Sequence, residues 1–84
     1  MFGGIFKRKH NTVIMDGSDS NTLRTILSLS EMIAGDGTTR MRMLDCNHPT
    51  MMVIETKCTQ KVYDTLRFVI SKCYPGLCTF RANV

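Results

Sequence analysis

TTRMRMLDCNHPTMMVIETK, residues 38–57, decides how this chain folds. Its first part, TTRMRMLD (38–45), alternates: Met41 and Met43 fall on one side, Arg40, Arg42 and Leu44 on the other. Successive strand side chains point to opposite faces, so this period of two predicts a strand. CNHPT (46–50) reads as a turn punctuated by Pro49. MMVIETK (51–57) has β-branched residues at its centre and predicts a second strand. Two strands joined this briefly pair as an antiparallel hairpin.

Outward from the hairpin the period changes to that of a helix on both sides. In SDSNTLRTILSLSEMIAGDG (18–37), Leu23, Ile26, Leu27, Ser30 and Ile33 share one helical face. Asp19 or Ser20 can accept from the free N–H groups of the first turn, and Gly35 is a natural stop. In CTQKVYDTLRFVISKCYPG (58–76), Val62, Leu66, Val69 and Cys73 form a stripe widened by Tyr63 and Ile70. Thr59 is the expected N-cap there, and Pro75-Gly76 the end. Two further strand patterns flank the helices: NTVIMDG (11–17) and LCTFRANV (77–84), the latter with Cys78, Phe80, Ala82 and Val84 on one face.

The order is β-α-β-β-α-β, which predicts an α+β, ferredoxin-like domain with a four-stranded antiparallel sheet. Right-handed crossovers place both helices on one face of it. Met15, Met41, Met43, Ile54, Phe80 and Ala82 are the expected sheet contribution to the core. The opposite face carries Ile14, Arg40, Arg42, Val53, Glu55, Thr79 and Arg81 and is left to solvent or a partner.

Eighty-four residues make one domain, read as a basic N-terminal tail over 1–10 and a single ferredoxin-like domain over 11–84. The net charge is +4, of which Lys7, Arg8 and Lys9 supply three units. From His10 onward eight Lys and Arg face seven Asp and Glu, so the body is nearly neutral and the tail is the basic part. The four Cys, at 46, 58, 73 and 78, include no C-x-x-C spacing. The opening MFGGIFKRKH lacks the apolar stretch of a secretory signal, and no segment reaches the roughly 18–20 apolar residues of a membrane-spanning helix. The expectation is a cytoplasmic protein with reduced thiols, for which a membrane is the least favoured partner.

Phosphate-binding loops of the G-x-x-x-x-G-K-[ST] and G-x-G-x-x-G types are missing. Gly35 and Gly37 follow a helix instead of opening one, and a helix C-terminus repels anions. Cys46 and His48 share the hairpin turn, whereas Cys58 stands at the other end of the strand, roughly 20 Å away at about 3.3 Å per residue, too far for one zinc site or a Cys–His dyad. Asp16 and Asp19 lack the ligand spacing of a calcium loop, and capping accounts for them. No metal, cofactor or catalytic residue is expected, and the chain is read as a non-enzyme.

Binding is the remaining class. RNA-binding sheets of this topology stack bases on aromatic residues of their two central strands. Here NTVIMDG and MMVIETK carry none. Apolar residues rimmed by Arg resemble a protein–protein interface. Arg40, Arg42, Val53 and Arg81 are therefore candidate partner-binding residues. So is Phe68, which lies on the polar side of the second helix with Lys61, Asp64 and Ser71. Lys7, Arg8 and Lys9, with the three arginines, are the candidate nucleic-acid residues.

The stretch MMVIETKCTQKVYDTLRFVISKCYPGLCTFRANV (51–84) resembles the strand–helix–strand end of small ferredoxin-like sensory domains, such as the cytoplasmic domain of YitT-type bacterial membrane proteins. The likeness is one of element order and of a helix ending just before a strand with a central Phe. It carries over no functional residue. The expected function is that of a small regulatory or inhibitory protein docking on a larger protein. Nucleic-acid binding is the alternative, and a homodimer is compatible with either.

Overall fold

A computed structural model describes residues 9–35 and 37–82 and, at Lys9 and Ala82, the backbone alone. Six elements follow one another: β1 (Lys9–Asp16), α1 (Ser20–Ala34), β2 (Thr39–Asp45), β3 (His48–Cys58), α2 (Gln60–Cys73) and β4 (Cys78–Ala82). The strands form one four-stranded sheet in the order β2-β3-β1-β4. Every neighbouring pair is antiparallel. The architecture is α+β, and the sheet order is compatible with a β-α-β-β-α-β topology.

Local chemistry explains where the elements begin and end. Asp19 caps α1: its carboxylate accepts from the N–H groups of Asn21 and Thr22, both at 3.2 Å. Gly35, at φ 100°, ends that helix in a backbone conformation that other residues avoid. The Thr59 hydroxyl accepts from the N–H of Val62 at 3.3 Å and starts α2. Asp45 closes the hairpin by accepting from the N–H groups of Asn47 and His48, each at 2.9 Å. That shrinks the turn to Cys46–Asn47, and β3 starts at His48 instead of Met51. Pro49 fits there because β1 pairs only with Met51–Cys58, so its missing N–H removes no bond to β1.

One face of the sheet meets the helices. Val13, Met15, Ile54 and Cys58 are buried there against Ile26 of α1 and Tyr63, Leu66 and Ile70 of α2. Burying one such large side chain contributes about 1.5–3 kcal/mol, so these positions dominate stability. Ser30 is polar yet buried in the α1 stripe, and its hydroxyl donates to the Ile26 carbonyl at 2.8 Å. Cys78 and Phe80 pack at the margin of this core.

Three expectations need correction. Met41 and Met43 point to the helix side but are 43% and 45% exposed, because β2 is an edge strand. The α2 stripe centres on Tyr63, Leu66 and Ile70, while Cys73 is exposed. The reason is that the Tyr63 hydroxyl reaches the Thr12 carbonyl in the central strand, which turns the helix toward that side. The first strand begins at Lys9, where Lys9 pairs with Cys58 and His10 with Lys57, so His10 belongs to the sheet and not to a tail. Lys7 and Arg8 lie outside the described residues.

Candidate binding face of the sheet

The face turned away from the helices is ordered in rows by the strand register. One row runs Arg40, Glu55, Thr12, Arg81 across β2, β3, β1 and β4. The next runs Arg42, Val53, Ile14, Thr79. His10 and Lys57 stand opposite each other on the other side of the first row. Adjacent strands lie about 4.8 Å apart, so Arg40 and Arg81 are separated by three such steps, about 14 Å. The expected facing of Arg40, Arg42, Ile14, Val53, Glu55, Thr79 and Arg81 is the observed one.

The charges on this face do not cancel. Glu55 accepts from Nε of Arg42, its diagonal neighbour, and not from Arg40 directly opposite. Arg40, Lys57 and Arg81 have no ion pair among the described residues. Asp16, at the far end of β1, accepts from the hydroxyl and N–H of Ser18. Those bonds hold its carboxyl below the usual range. A basic face therefore surrounds one ion-paired carboxylate, Glu55, with Asp16 at its end.

Val53 does not offer the open apolar centre that alternation predicts. It is 1% exposed, with Ile14 and Arg42 as its cross-strand neighbours and the Arg42–Glu55 pair beside it. Thr12 is also buried on this side, its hydroxyl donating to the Arg81 carbonyl at 3.2 Å. The accessible part of the face is its cationic rim, with Ile14 half-buried at the centre.

Phe68 belongs to a different surface. It is 63% exposed on α2, in the layer that covers the opposite face of the sheet. Lys72 Nζ sits 5.6 Å from its ring centroid, a cation–π arrangement, and Asp64, Arg67 and Ser71 share a shallow depression with it. The fold does not bring Phe68 and the three arginines together.

The register adds two residues to the sheet face, His10 and Lys57. With Gly37, Thr38, Arg40 and Glu55 they line a cavity of about 260 Å³. Lys57 was legible as the continuation of the Val53–Glu55 alternation. His10 was not, because β1 extends two residues beyond its β-branched segment.

The remaining reactive groups are dispersed. Cys46 lies in the hairpin turn and His48 just after it, where His48 Nδ1 lies 2.9 Å from Asp45 Oδ1. Cys58 is buried at the other end of β3. Among the described residues, no three of His, Cys, Asp and Glu gather in a metal-binding group. Burial pushes the Cys78 thiol up, which disfavours its thiolate. No helix among the described residues is long and apolar enough to cross a membrane.

No family model matches this chain, and neither a curated protein nor a solved structure does.

Proposed function

We propose that the chain is a small non-enzymatic regulatory or inhibitory protein, of ferredoxin-like architecture, that docks on a larger protein through the open face of its sheet. One observation carries this reading. Among the described residues Arg40, Lys57 and Arg81 have no ion pair, on a β-sheet face whose central carboxylate is neutralised by Arg42. Arg is enriched in interfaces because its planar fork binds carboxylates in two places at once. Complementary charge also speeds and orients docking. The partner surface is accordingly acidic. Phe68 on α2 is a separate, smaller contact of the same reading.

The test is capture from native-host lysate, with and without nuclease, by the wild-type chain and by Arg40→Glu/Arg81→Glu. Support is a stoichiometric protein that survives nuclease and is lost with the double variant. A protein captured equally by both overturns the sheet face as the docking surface.

A second reading, nucleic-acid binding, is favoured by one feature. The basic run Lys7–Lys9 immediately precedes His10 in the sequence, and His10 pairs with Lys57 across β1 and β3. Phosphate contacts of this kind are salt-sensitive and carry no base information. Binding to a single-stranded oligonucleotide that is unchanged between low and physiological salt removes this reading. Self-association through an edge strand is compatible with either, and light scattering at two concentrations detects it.

A further inference from the structure

The cavity at the β1–β3–β2 end of the sheet face has a chemistry of its own. Three of its walls carry nitrogen donors from three different strands: His10 on β1, Lys57 on β3 and Arg40 on β2. His10 and Lys57 are direct cross-strand partners, and Arg40 lies opposite Glu55, two residues before Lys57. The three donor-bearing residues thus start within about 12 Å of one another, given the spacings of strands and of alternate residues. Side chains as long as Arg and Lys converge easily over that span.

Glu55 is the one acid on the wall among the described residues, and its position bears on what the cavity can hold. It is engaged by Arg42, which comes from outside the cavity. Its charge is compensated there, and the guanidinium of Arg40 is left without a carboxylate among the described residues. Among the described residues Arg40 and Lys57 are then two cations without an ion pair that face one concavity. The Thr38 hydroxyl is committed to the Gly35 carbonyl at 2.6 Å and does not compete for a ligand. Gly37, at φ 79°, leaves that side of the cavity free of a side chain.

We propose that His10, Arg40 and Lys57 form an oxyanion site that takes the phosphoryl group of a small phosphomonoester. A phosphate dianion matches two unpaired cations, and its several oxygens match donors arriving from three directions. Arg provides two parallel N–H groups for two of those oxygens, and Lys acts as a point charge on the third. The volume of about 260 Å³ is that of roughly eight or nine water molecules in the liquid, so the phosphoryl group leaves room for a substituent. Arg42 acts indirectly, by neutralising Glu55. This site does not rest on the docking reading, because it is measured on the isolated chain with a small ligand.

The experiment is a titration of the full chain, followed by amide chemical shifts, at constant ionic strength. The probes are inorganic phosphate and glycerol 3-phosphate. The expected result is saturable binding, with the largest shifts at His10, Thr38, Arg40 and Lys57. Arg40→Gln and Lys57→Gln each weaken it about 10- to 100-fold, the effect of losing a charge-assisted hydrogen bond. Arg24→Gln, which removes an equal charge from α1 on the other layer, leaves it unchanged. Glu55→Gln tightens binding, because it removes the one negative wall. Tighter binding of glycerol 3-phosphate than of phosphate identifies a phosphomonoester as the ligand class. Equal affinity assigns the site to free phosphate and overturns the phosphomonoester. Shifts that never saturate, or that Arg24→Gln reduces as much as Arg40→Gln does, overturn the site. The amide spectrum of each variant reports its fold in the same experiment.

Discussion

The Tyr63 hydroxyl donates to the backbone carbonyl of Thr12 at 2.7 Å, joining α2 to the central strand β1. Tyr63 is wholly buried, so this one bond serves a phenol that no water reaches. It also sets the rotation of α2, which brings Leu66 and Ile70 inward and leaves Phe68 outside. Replacing Tyr63 by Phe keeps the ring and removes the bond. The expected loss is about 1–2 kcal/mol, measured as a lower urea midpoint.

The same residue gives stability an alkaline limit. Burial pushes the Tyr63 phenol up to about 12 from an ordinary value of 10.0. The folded state holds this proton more tightly than the unfolded state does. The contribution is complete below pH 10 and is lost as pH rises toward 12. Urea midpoints measured across that window should fall in the wild type and fall less in Tyr63→Phe. Equal slopes would mean that Tyr63 ionises without restraint.

An opposite limit lies at low pH. The side-chain bond from His48, helped by the Asn47 and His48 N–H groups, holds the Asp45 carboxyl below its ordinary 3.8. A depressed carboxyl stabilises the fold above its unfolded value, and that contribution disappears as pH falls through the folded one. Asp45→Asn keeps an acceptor for the hairpin turn but removes the titration. Its urea midpoint should depend less on pH below about pH 4 than that of the wild type, at the pKa of an unperturbed carboxyl. The same dependence in both would exclude Asp45 as a source of acid sensitivity.

Gly17 joins β1 to α1 under close contact. A Cβ there would stand 2.5 Å from Met52 Cγ and 3.1 Å from the Thr50 carbonyl oxygen. The Met side chain can move. The carbonyl cannot, because it accepts from the Gly17 N–H at 2.6 Å. Gly17→Ala should therefore cost about 1–3 kcal/mol, as overpacking does. Thermal unfolding at the wild-type temperature would show that the β1–α1 connection yields.

Positions on α2 should separate by what covers them. Ile70→Ala empties a site at 0% exposure and should cost about 2–5 kcal/mol. Phe68→Ala, two residues away, should change stability by less than about 0.5 kcal/mol. Met41→Thr on the edge strand should resemble Phe68→Ala. A large loss at Met41 would restore it to the core from which its 43% exposure removes it.

Much of this arrangement is written locally. Asp19 and Thr59 start the helices, Gly35 ends the first, and alternation in TRMRMLD and MMVIETK sets two strands, because each rests on residues at most a few positions apart. The same alternation was enough to place Arg40, Arg42, Glu55 and Arg81 on one face. What periodicity cannot carry is which positions on a face are covered. Met41 follows the inward pattern yet lies half-open, because β2 has a neighbour on one side only. Val53 follows the outward pattern yet is sealed between its hairpin partner β2 and the sequence-distant β1. Local pattern was enough for the number and order of the elements and for the side to which Ile14, Arg40, Arg42, Val53, Glu55, Thr79 and Arg81 turn, though not for where β1 and β3 begin. Only the tertiary structure shows that Arg42 takes Glu55 from Arg40 and that His10 joins Lys57. Those outcomes depend on cross-strand register and layer packing between residues far apart in the chain, where burial and charge pairing are settled.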